Sequence, residues 1–264
     1  MKLNIVPART GITWVKLGLQ TFFRQPLALA GLFFMYFTAM ALLGLVPFLG
    51  GAAALILAPA ATLGIMAAAR EASEGRFPMP SLLFAAFRAG PQRARAMLVL
   101  GAFYAVALLA VLLLASFFGG TPPAATAAQD PAALPRPALS AGMLVLAALQ
   151  LPLLVVFTHA PALVHWHGLT PFKAVFFSLV ALWRNIKAFL VFAAVWAVVV
   201  VFMLLVLGLV LQLLGTAITI AGFTPVALII AAMYTCSMYF TYRDCYFAPG
   251  ADEAAPIPPT EEIP

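Results

Sequence analysis

The sequence predicts an all-α polytopic membrane protein with six transmembrane helices in three hairpins, each preceded by a cytoplasmic amphipathic segment. Of its 264 residues, 65% are hydrophobic and only 8% are charged, whereas a soluble domain has about 25% charged residues. Six apolar runs each approach the roughly 20 residues that a helix needs to cross a bilayer. A segment with polar and apolar faces comes before the first, third and fifth of these runs.

The opening segment, Ile12–Pro26, has the pattern of a helix that lies in a membrane surface. On a helix its polar side chains form one stripe, namely Arg9, Thr13, Lys16, Gln20 and Arg24. The other side carries Ile12, Val15, Leu19, Phe22 and Phe23, with Trp14 at the margin. Pro26 ends this helix, because the residue before a proline is pushed out of the α region. Proline also suits the first turn of the helix that follows.

Six spans then follow, and their composition distinguishes the second and the fifth. The predicted spans are Leu27–Val46, Gly50–Ala69, Met97–Phe118, Leu139–Val164, Ala188–Leu211 and Thr224–Tyr242. Small residues surround nearly all of the second span, which predicts the centre of the bundle because small side chains let helices approach closely. Pro59 is expected to kink it. The fifth span is rich in Val, Leu and Phe, which predicts a lipid-facing helix.

Three units of one surface segment and one hairpin are predicted at residues 12–69, 81–164 and 171–247, within a single membrane domain, 1–247. The second surface segment is a short helix, Leu82–Arg88, and the third is Thr170–Lys187. Gly119–Ala138 is predicted to be a flexible outer loop, Gly215–Gly222 a short turn, and 248–264 a disordered acidic tail.

The basic residues predict the orientation of the chain. Of the 14 Lys and Arg residues, only Arg136 lies in a segment assigned to the outer side. This asymmetry is the positive-inside bias, and it places both termini in the cytoplasm. It also accounts for the net charge of +6 without a nucleic-acid partner. The first apolar run is longer than a signal-peptide core and starts further from the N-terminus, which predicts an uncleaved span.

The chemistry of the spans argues against catalysis. None of the predicted spans contains Asp, Glu, Lys or Arg. Such groups cost roughly 2.5–3.5 kcal/mol each at a bilayer centre and usually mark proton relays and ion paths. The sequence therefore disfavours a proton-coupled transporter, a charge-selective channel and an intramembrane aspartyl protease. It has no phosphate-binding loop and no nucleophile elbow, so we expect no enzyme activity and no cofactor.

Three histidines, His159, His165 and His167, cluster near the inner end of the fourth span. A metal or proton site is one interpretation, and interfacial histidines beside Trp166 are the other. A metal needs three or four convergent ligands, and His165 and His167 point in different directions on a helix. The spacing favours the interfacial interpretation, with no metal.

Other polar side chains in or beside the spans predict packing contacts. Cys236 and Cys245 lack the spacing of a metal site and indicate two reduced thiols. Gln150 and Gln212 are expected to form hydrogen bonds between helices. Arg243-Asp244 is expected to form an ion pair at a helix end or between segments.

Basic residues around the cytoplasmic face predict a collar that can meet anionic lipid headgroups, at about 1 kcal/mol each. Its members are Lys16, Arg24, Arg88, Arg93, Arg95, Lys173, Arg184 and Lys187. Residues expected to anchor the protein at the membrane interface are Trp14, Phe22, Phe23, Trp166, Trp183 and Tyr242. The alternative is that these charges serve only topology, and the two interpretations weigh about equally.

Trp14, Phe22-Phe23-Arg24, Pro26 and the small-residue span with Ala58-Pro59 resemble an uncharacterised family of bacterial six-span inner-membrane proteins. The resemblance covers roughly Ala8 to Phe247 and implies a multi-pass protein of the bacterial inner membrane. More distantly the chain is similar to the membrane domain of some glycerophosphodiester phosphodiesterases, whose catalytic domain has no counterpart here.

These observations together predict a non-enzymatic accessory protein of the inner membrane. We expect it to bind membrane lipids, anionic ones in particular, or partner membrane proteins through its cytoplasmic collar. The alternative is an uncoupled transporter or lipid-moving protein with a path beside the second and fourth spans. A polar groove between those spans favours the alternative, and a filled bundle favours the accessory protein.

Overall fold

The computed structural model describes residues 3–118, 141–214 and 216–247, and most of these are helical, with no strand among them. The predicted outer loop Gly119–Ala138 and the acidic tail 248–264 lie outside the described residues. In chain order the helices are α1 (Thr10–Arg24), α2 (Pro26–Gly44), α3 (Gly50–Ser73), a 3₁₀ helix (Pro80–Phe84), α4 (Ala85–Arg88), α5 (Pro91–Phe117), α6 (Ala141–His167), α7 (Pro171–Arg184), α8 (Ile186–Leu214) and α9 (Thr216–Tyr246).

Six of these helices, α2, α3, α5, α6, α8 and α9, are long and apolar enough to cross a membrane. The all-α polytopic class is therefore confirmed. The expected turn at Gly215–Gly222 is wrong over most of its length, because α9 already begins at Thr216. Continued helix satisfies the backbone N–H and C=O groups of this apolar stretch, which a turn in lipid would leave unpaired. Helix α5 likewise begins at Pro91, six residues before the predicted span.

Helix α3 is the centre of the bundle, as its small side chains predicted. In the most apolar 18-residue stretch of α3, 56% of the residues are buried inside the protein, whereas in the corresponding stretch of α8 the share is 11%. A Cβ built at Gly101 of α5 would overlap the carbonyl oxygen of Ile56 in α3. A Cβ at Gly64 would lie 2.6 Å from the Cα of Leu83 in the 3₁₀ helix. Both neighbours therefore approach α3 more closely than any side chain would allow.

Each surface segment packs mainly against the last helix of a hairpin that belongs to another unit. The 3₁₀ helix and α4 pack on α3, α7 packs on α6, and α1 packs on α9 and α8. Because α1 precedes the first hairpin and contacts the last one, the contacts between surface segments and hairpins form a closed ring. The division of the chain into three units of one surface segment and one hairpin stays a prediction.

Hydrogen bonds join the first residues of the chain to the end of the last helix, and we name this set the N-terminal clasp. The backbone N–H of Asn4 donates to the carbonyl of Cys245 at 2.9 Å, and its side-chain amide donates to that of Phe247 at 2.6 Å. Asn185, between α7 and α8, accepts from the N–H of Val6 at 2.8 Å and donates to the carbonyl of Asn4 at 3.0 Å. The clasp fixes α1 beneath the final hairpin.

Candidate functional site

Helix α1 lies against the protein more than against lipid, which changes the role expected for Trp14. The side chain of Trp14 is 0% exposed, and its ring stacks near Phe189 and Phe192 at 5.1 and 6.0 Å between centroids. Its indole N–H donates to the carboxylate of Asp244 at 2.9 Å. Trp14 thus joins α1 to α8 and α9.

A shallow groove of about 650 Å³ runs along the exposed face of α1, and we name it the α1 groove. Its apolar lining comes from Ile12, Val15, Leu19, Phe23 and Val195, and its polar lining from Lys16, Gln20 and Arg24. The chain offers one apolar stripe and one polar stripe at this surface, as the sequence pattern predicted. A molecule with a hydrocarbon chain and a charged head fits such a lining.

A polar cleft of about 910 Å³ lies between α1, α3 and α9, and we name it the arginine cleft. Four arginines line it, namely Arg24, Arg70, Arg76 and Arg243. Gln20 and Arg24 belong to both linings, so the arginine cleft and the α1 groove meet at Arg24. Leu17, Tyr239 and Phe240 add apolar walls to the cleft.

Carboxylates neutralise most of the arginine cleft. Arg70 pairs with Glu74 at 3.1 Å, and Arg76 pairs with both Glu71 and Glu74. The hydrogen bonds that Arg76 donates to the carboxylate of Glu71 raise the pKa of Arg76. Arg243 pairs with Asp244 at 2.9 Å, as the sequence predicted.

Arg24 differs from the other three arginines of the cleft. Its guanidinium donates to the carbonyl of Ser73 at 3.1 Å, and among the described residues it forms no ion pair. Its charge is therefore not neutralised by a carboxylate. A planar guanidinium can form two parallel hydrogen bonds to a phosphate, so Arg24 is the side chain best placed to meet a phosphate from the groove side.

The eight predicted headgroup residues are all exposed, but the structure does not bring them together. Only Lys16 and Arg24 line the α1 groove, and only Arg24 also lines the arginine cleft. The other six line neither of these two pockets; they are Arg88, Arg93, Arg95, Lys173, Arg184 and Lys187. Arg70, Arg76 and Arg243 were not among the predicted headgroup residues, although Arg70 and Arg243 lie in the last turns of α3 and α9 and Arg76 follows α3.

The predicted interface anchors divide into buried and exposed side chains. Trp14, Phe22 and Tyr242 are buried inside the protein, so their expected contact with the membrane interface is wrong. Tyr242 packs on Trp166 with ring centroids 5.0 Å apart; Trp166 itself is half-buried. Phe23 and Trp183 are 65% and 77% exposed, and for them the anchor role stays a prediction.

The three histidines do not converge on a common point. His159 is buried, and its Nε2 lies 2.9 Å from the hydroxyl oxygen of Thr241. That hydroxyl donates its proton to the carbonyl of Met238, so Nε2 of His159 must donate and carries the proton. Among the described residues no group of three or more His, Cys, Asp and Glu could hold a metal.

The remaining polar groups only partly follow the sequence expectation. Cys236 and Cys245 are free, buried thiols. The amide oxygen of Gln150 is buried, with no hydrogen-bond partner among the described residues, and Gln212 is exposed. The expected bonds of these two glutamines between helices are therefore absent from the described part of the chain.

A third, smaller cavity of about 280 Å³ lies inside the bundle, between α2, α3, α5, α6 and α9. Six hydroxyl-bearing side chains line it, namely Tyr36, Tyr104, Tyr234, Thr62, Thr158 and Thr235. We name it the hydroxyl cavity. Pro59, on the helix that the sequence placed at the centre, lies in its wall.

Comparison with known proteins identifies the kind of protein to which this chain is similar. A protein of Burkholderia thailandensis described as a probable inner membrane protein is 38% identical over 260 residues, which cover 93% of this chain and 94% of that protein. The chain belongs to its family. No family model matches the chain, and no solved structure does.

This inner-membrane family and the six apolar helices establish a multi-pass inner-membrane protein. They confirm, in general form, the resemblance to bacterial inner-membrane proteins. The distant likeness to glycerophosphodiester phosphodiesterases has no support in the comparisons. The name of the relative specifies a membrane and no activity, so a function must be argued from the geometry of this chain.

Proposed function

We propose that this protein is a non-enzymatic accessory protein that binds anionic phospholipid in the cytoplasmic leaflet of the inner membrane. One observation carries the proposal: the apolar α1 groove and the arginine cleft meet at Arg24. An acyl chain lies along the groove, and the phosphate contacts Arg24 where the groove opens into the cleft. Contacts with partner membrane proteins through the rest of the collar stay a prediction.

The charges support an anionic headgroup at this position. Lys16 and Arg24 are exposed, lie two helical turns apart and line the same groove. A basic residue near an anionic membrane surface contributes about 1 kcal/mol of attraction. The other three arginines of the cleft are paired with carboxylates, so they supply hydrogen-bond donors and little unneutralised positive charge. The proposal therefore rests on Lys16 and Arg24.

The test replaces both residues, Lys16→Gln and Arg24→Gln, in one variant. Protein reconstituted in nanodiscs of phosphatidylglycerol and phosphatidylethanolamine is analysed by native mass spectrometry for bound anionic lipid. We expect the affinity for phosphatidylglycerol to fall about thirtyfold, because two contacts of roughly 1 kcal/mol each are lost. The remaining binding should weaken as salt is added.

A matched control is Lys173→Gln with Arg184→Gln, which removes the same charge from the third surface segment. These two residues are exposed and line neither the α1 groove nor the arginine cleft. Bound lipid should change less than twofold. An equal fall in both variants would show that the collar attracts lipid without a site at Arg24, and no fall in either would leave the charges with a role in topology alone.

The hydroxyl cavity favours a second candidate function, an uncoupled transporter or lipid-moving protein. Residues of the second and fourth predicted spans, including Pro59 and Thr158, line it, so a polar space exists beside those spans. Movement of labelled phospholipid between leaflets of reconstituted vesicles distinguishes this candidate from an accessory protein.

A further inference from the structure

The hydroxyl cavity lies within the length of the predicted spans. At 1.5 Å per residue, Tyr36 lies about 14 Å along α2 from Leu27, and Tyr104 lies about 10 Å along α5 from Met97, where the predicted spans begin. The hydrocarbon core is about 30 Å thick. Both phenol groups are therefore far from either water-facing surface, where a polar group without a partner is costly.

The threonines of the cavity have already used their protons. Thr62 donates to the carbonyl of Ala58 at 3.0 Å and Thr158 to that of Leu154 at 2.7 Å. Thr235 likewise donates to the carbonyl of Ala231 at 2.7 Å. These bonds to the preceding turn leave each hydroxyl oxygen with lone pairs and no proton to offer. In the cavity the threonines are therefore acceptors.

The tyrosines are the donors of the cavity. Each phenol carries one O–H, and no hydrogen bond joins the hydroxyl of Tyr36, Tyr104 or Tyr234 to another residue within the described ranges. Their rings are held by aromatic neighbours. Tyr104 packs on Phe157 with centroids 5.2 Å apart, and Tyr234 on Trp196 at 5.4 Å. Three fixed O–H donors thus share one space in the membrane interior.

The lining also defines the charge of a ligand. No Asp, Glu, Lys, Arg or His among the described residues lines the cavity, and its other walls are apolar, including Phe33, Ile65 and Met238. A charged group would be desolvated here without a partner, at a large cost. Hydroxyl donors at the apolar wall suit carbonyl oxygens on a neutral, partly apolar molecule.

We propose that the hydroxyl cavity binds the neutral, carbonyl-bearing head of a molecule dissolved in the membrane, with Tyr36, Tyr104 and Tyr234 donating to its carbonyl oxygens. Two sources share this chemistry: the ring of an isoprenoid quinone and the ester groups of a diacylglycerol. The volume of about 280 Å³ admits a single head, while the hydrocarbon tail lies in lipid. This site is independent of the headgroup site at Arg24.

The test measures binding of two probes, decylubiquinone and dioctanoylglycerol, to the full-length protein in detergent by native mass spectrometry. The variant Tyr36→Phe with Tyr104→Phe and Tyr234→Phe removes the three donors and keeps the rings. We expect one probe to bind with a stoichiometry of one, and its affinity to fall about tenfold or more in the variant. The probe that behaves so identifies the source.

Two further variants keep the result interpretable. Tyr242→Phe removes a buried phenol hydroxyl that has no partner in the described structure and lies outside the cavity; binding should not change. Ala58→Phe places a ring in the cavity and should abolish binding. It serves as the test in case the triple variant does not fold. Failure of the wild-type protein to bind either probe, or equal binding by wild type and both cavity variants, would overturn the proposal.

Discussion

Replacing Asn185 by alanine is expected to lower the unfolding temperature of the detergent-solubilised protein by about 5 °C or more. The side chain of Asn185 is buried. It accepts from the N–H of Val6 and donates to the carbonyls of Asn4 and Ala181 at 3.0 Å each. Its loss leaves the N–H of Val6 and the carbonyl of Asn4 without these partners, whereas the carbonyl of Ala181 still accepts from the backbone N–H of residue 185. Each group left unpaired costs about 1–3 kcal/mol when buried. Differential scanning fluorimetry measures the effect.

The control for this variant is Gln92→Ala, which removes an exposed amide at the start of α5 and should leave the unfolding temperature within about 1 °C. Asn185→Asp keeps the acceptor for Val6 but loses both donations, so it should also destabilise the protein. If Asn185→Ala melts at the wild-type temperature, the N-terminal clasp does not hold α1 in place.

Gly101→Ala is expected to destabilise the protein by about 2 kcal/mol or more, because the added methyl group overlaps the backbone of Ile56 and must push α5 away from α3. Backbone atoms cannot rotate aside as the end of a side chain can. Thermal unfolding and the yield of monodisperse protein are the measurements.

Gly31→Ala is the matched control, since nothing lies within 4 Å of a Cβ built at that position on α2. At that position alanine should leave the stability unchanged or raise it slightly, because alanine has a higher helix propensity than glycine. Equal tolerance of the two substitutions would mean that α3 and α5 are not in close contact, and would remove the case for α3 as the centre.

The spans and the centre of the bundle could be predicted from composition, since both depend on local properties of the chain. Apolar length decides whether a helix crosses the membrane, and small side chains decide how closely it packs. The burial of Trp14 could not be predicted in this way. Its partner Asp244 lies 230 positions further along the chain, and the amphipathic pattern of α1 is the same whether lipid or protein covers the apolar side.

In the candidate site too, residues that depend on local pattern could be predicted, and those brought together by long-range packing could not. Lys16 and Arg24 were found because they lie on one stripe of one helix. Arg70, Arg76 and Arg243 come from α3, the segment after it and α9, and they meet Arg24 only because α1 packs on the last hairpin. The hydroxyl cavity draws on five helices, so single hydroxyl residues in apolar runs gave no signal. The available signal was that Tyr36, Tyr104 and Tyr234 lie in the interior of predicted spans instead of at their ends.

The headgroup proposal requires that α1 and the arginine cleft face the cytoplasm, and a topology measurement tests this most directly. Alkaline phosphatase and green fluorescent protein are fused in turn after Gly90, Ala128, Trp166 and Pro264. We expect fluorescence without phosphatase activity at Gly90, Trp166 and Pro264, and phosphatase activity at Ala128. The reverse pattern, with phosphatase activity at Gly90 or fluorescence at Ala128, would place the arginine cleft on the outer side and contradict the account.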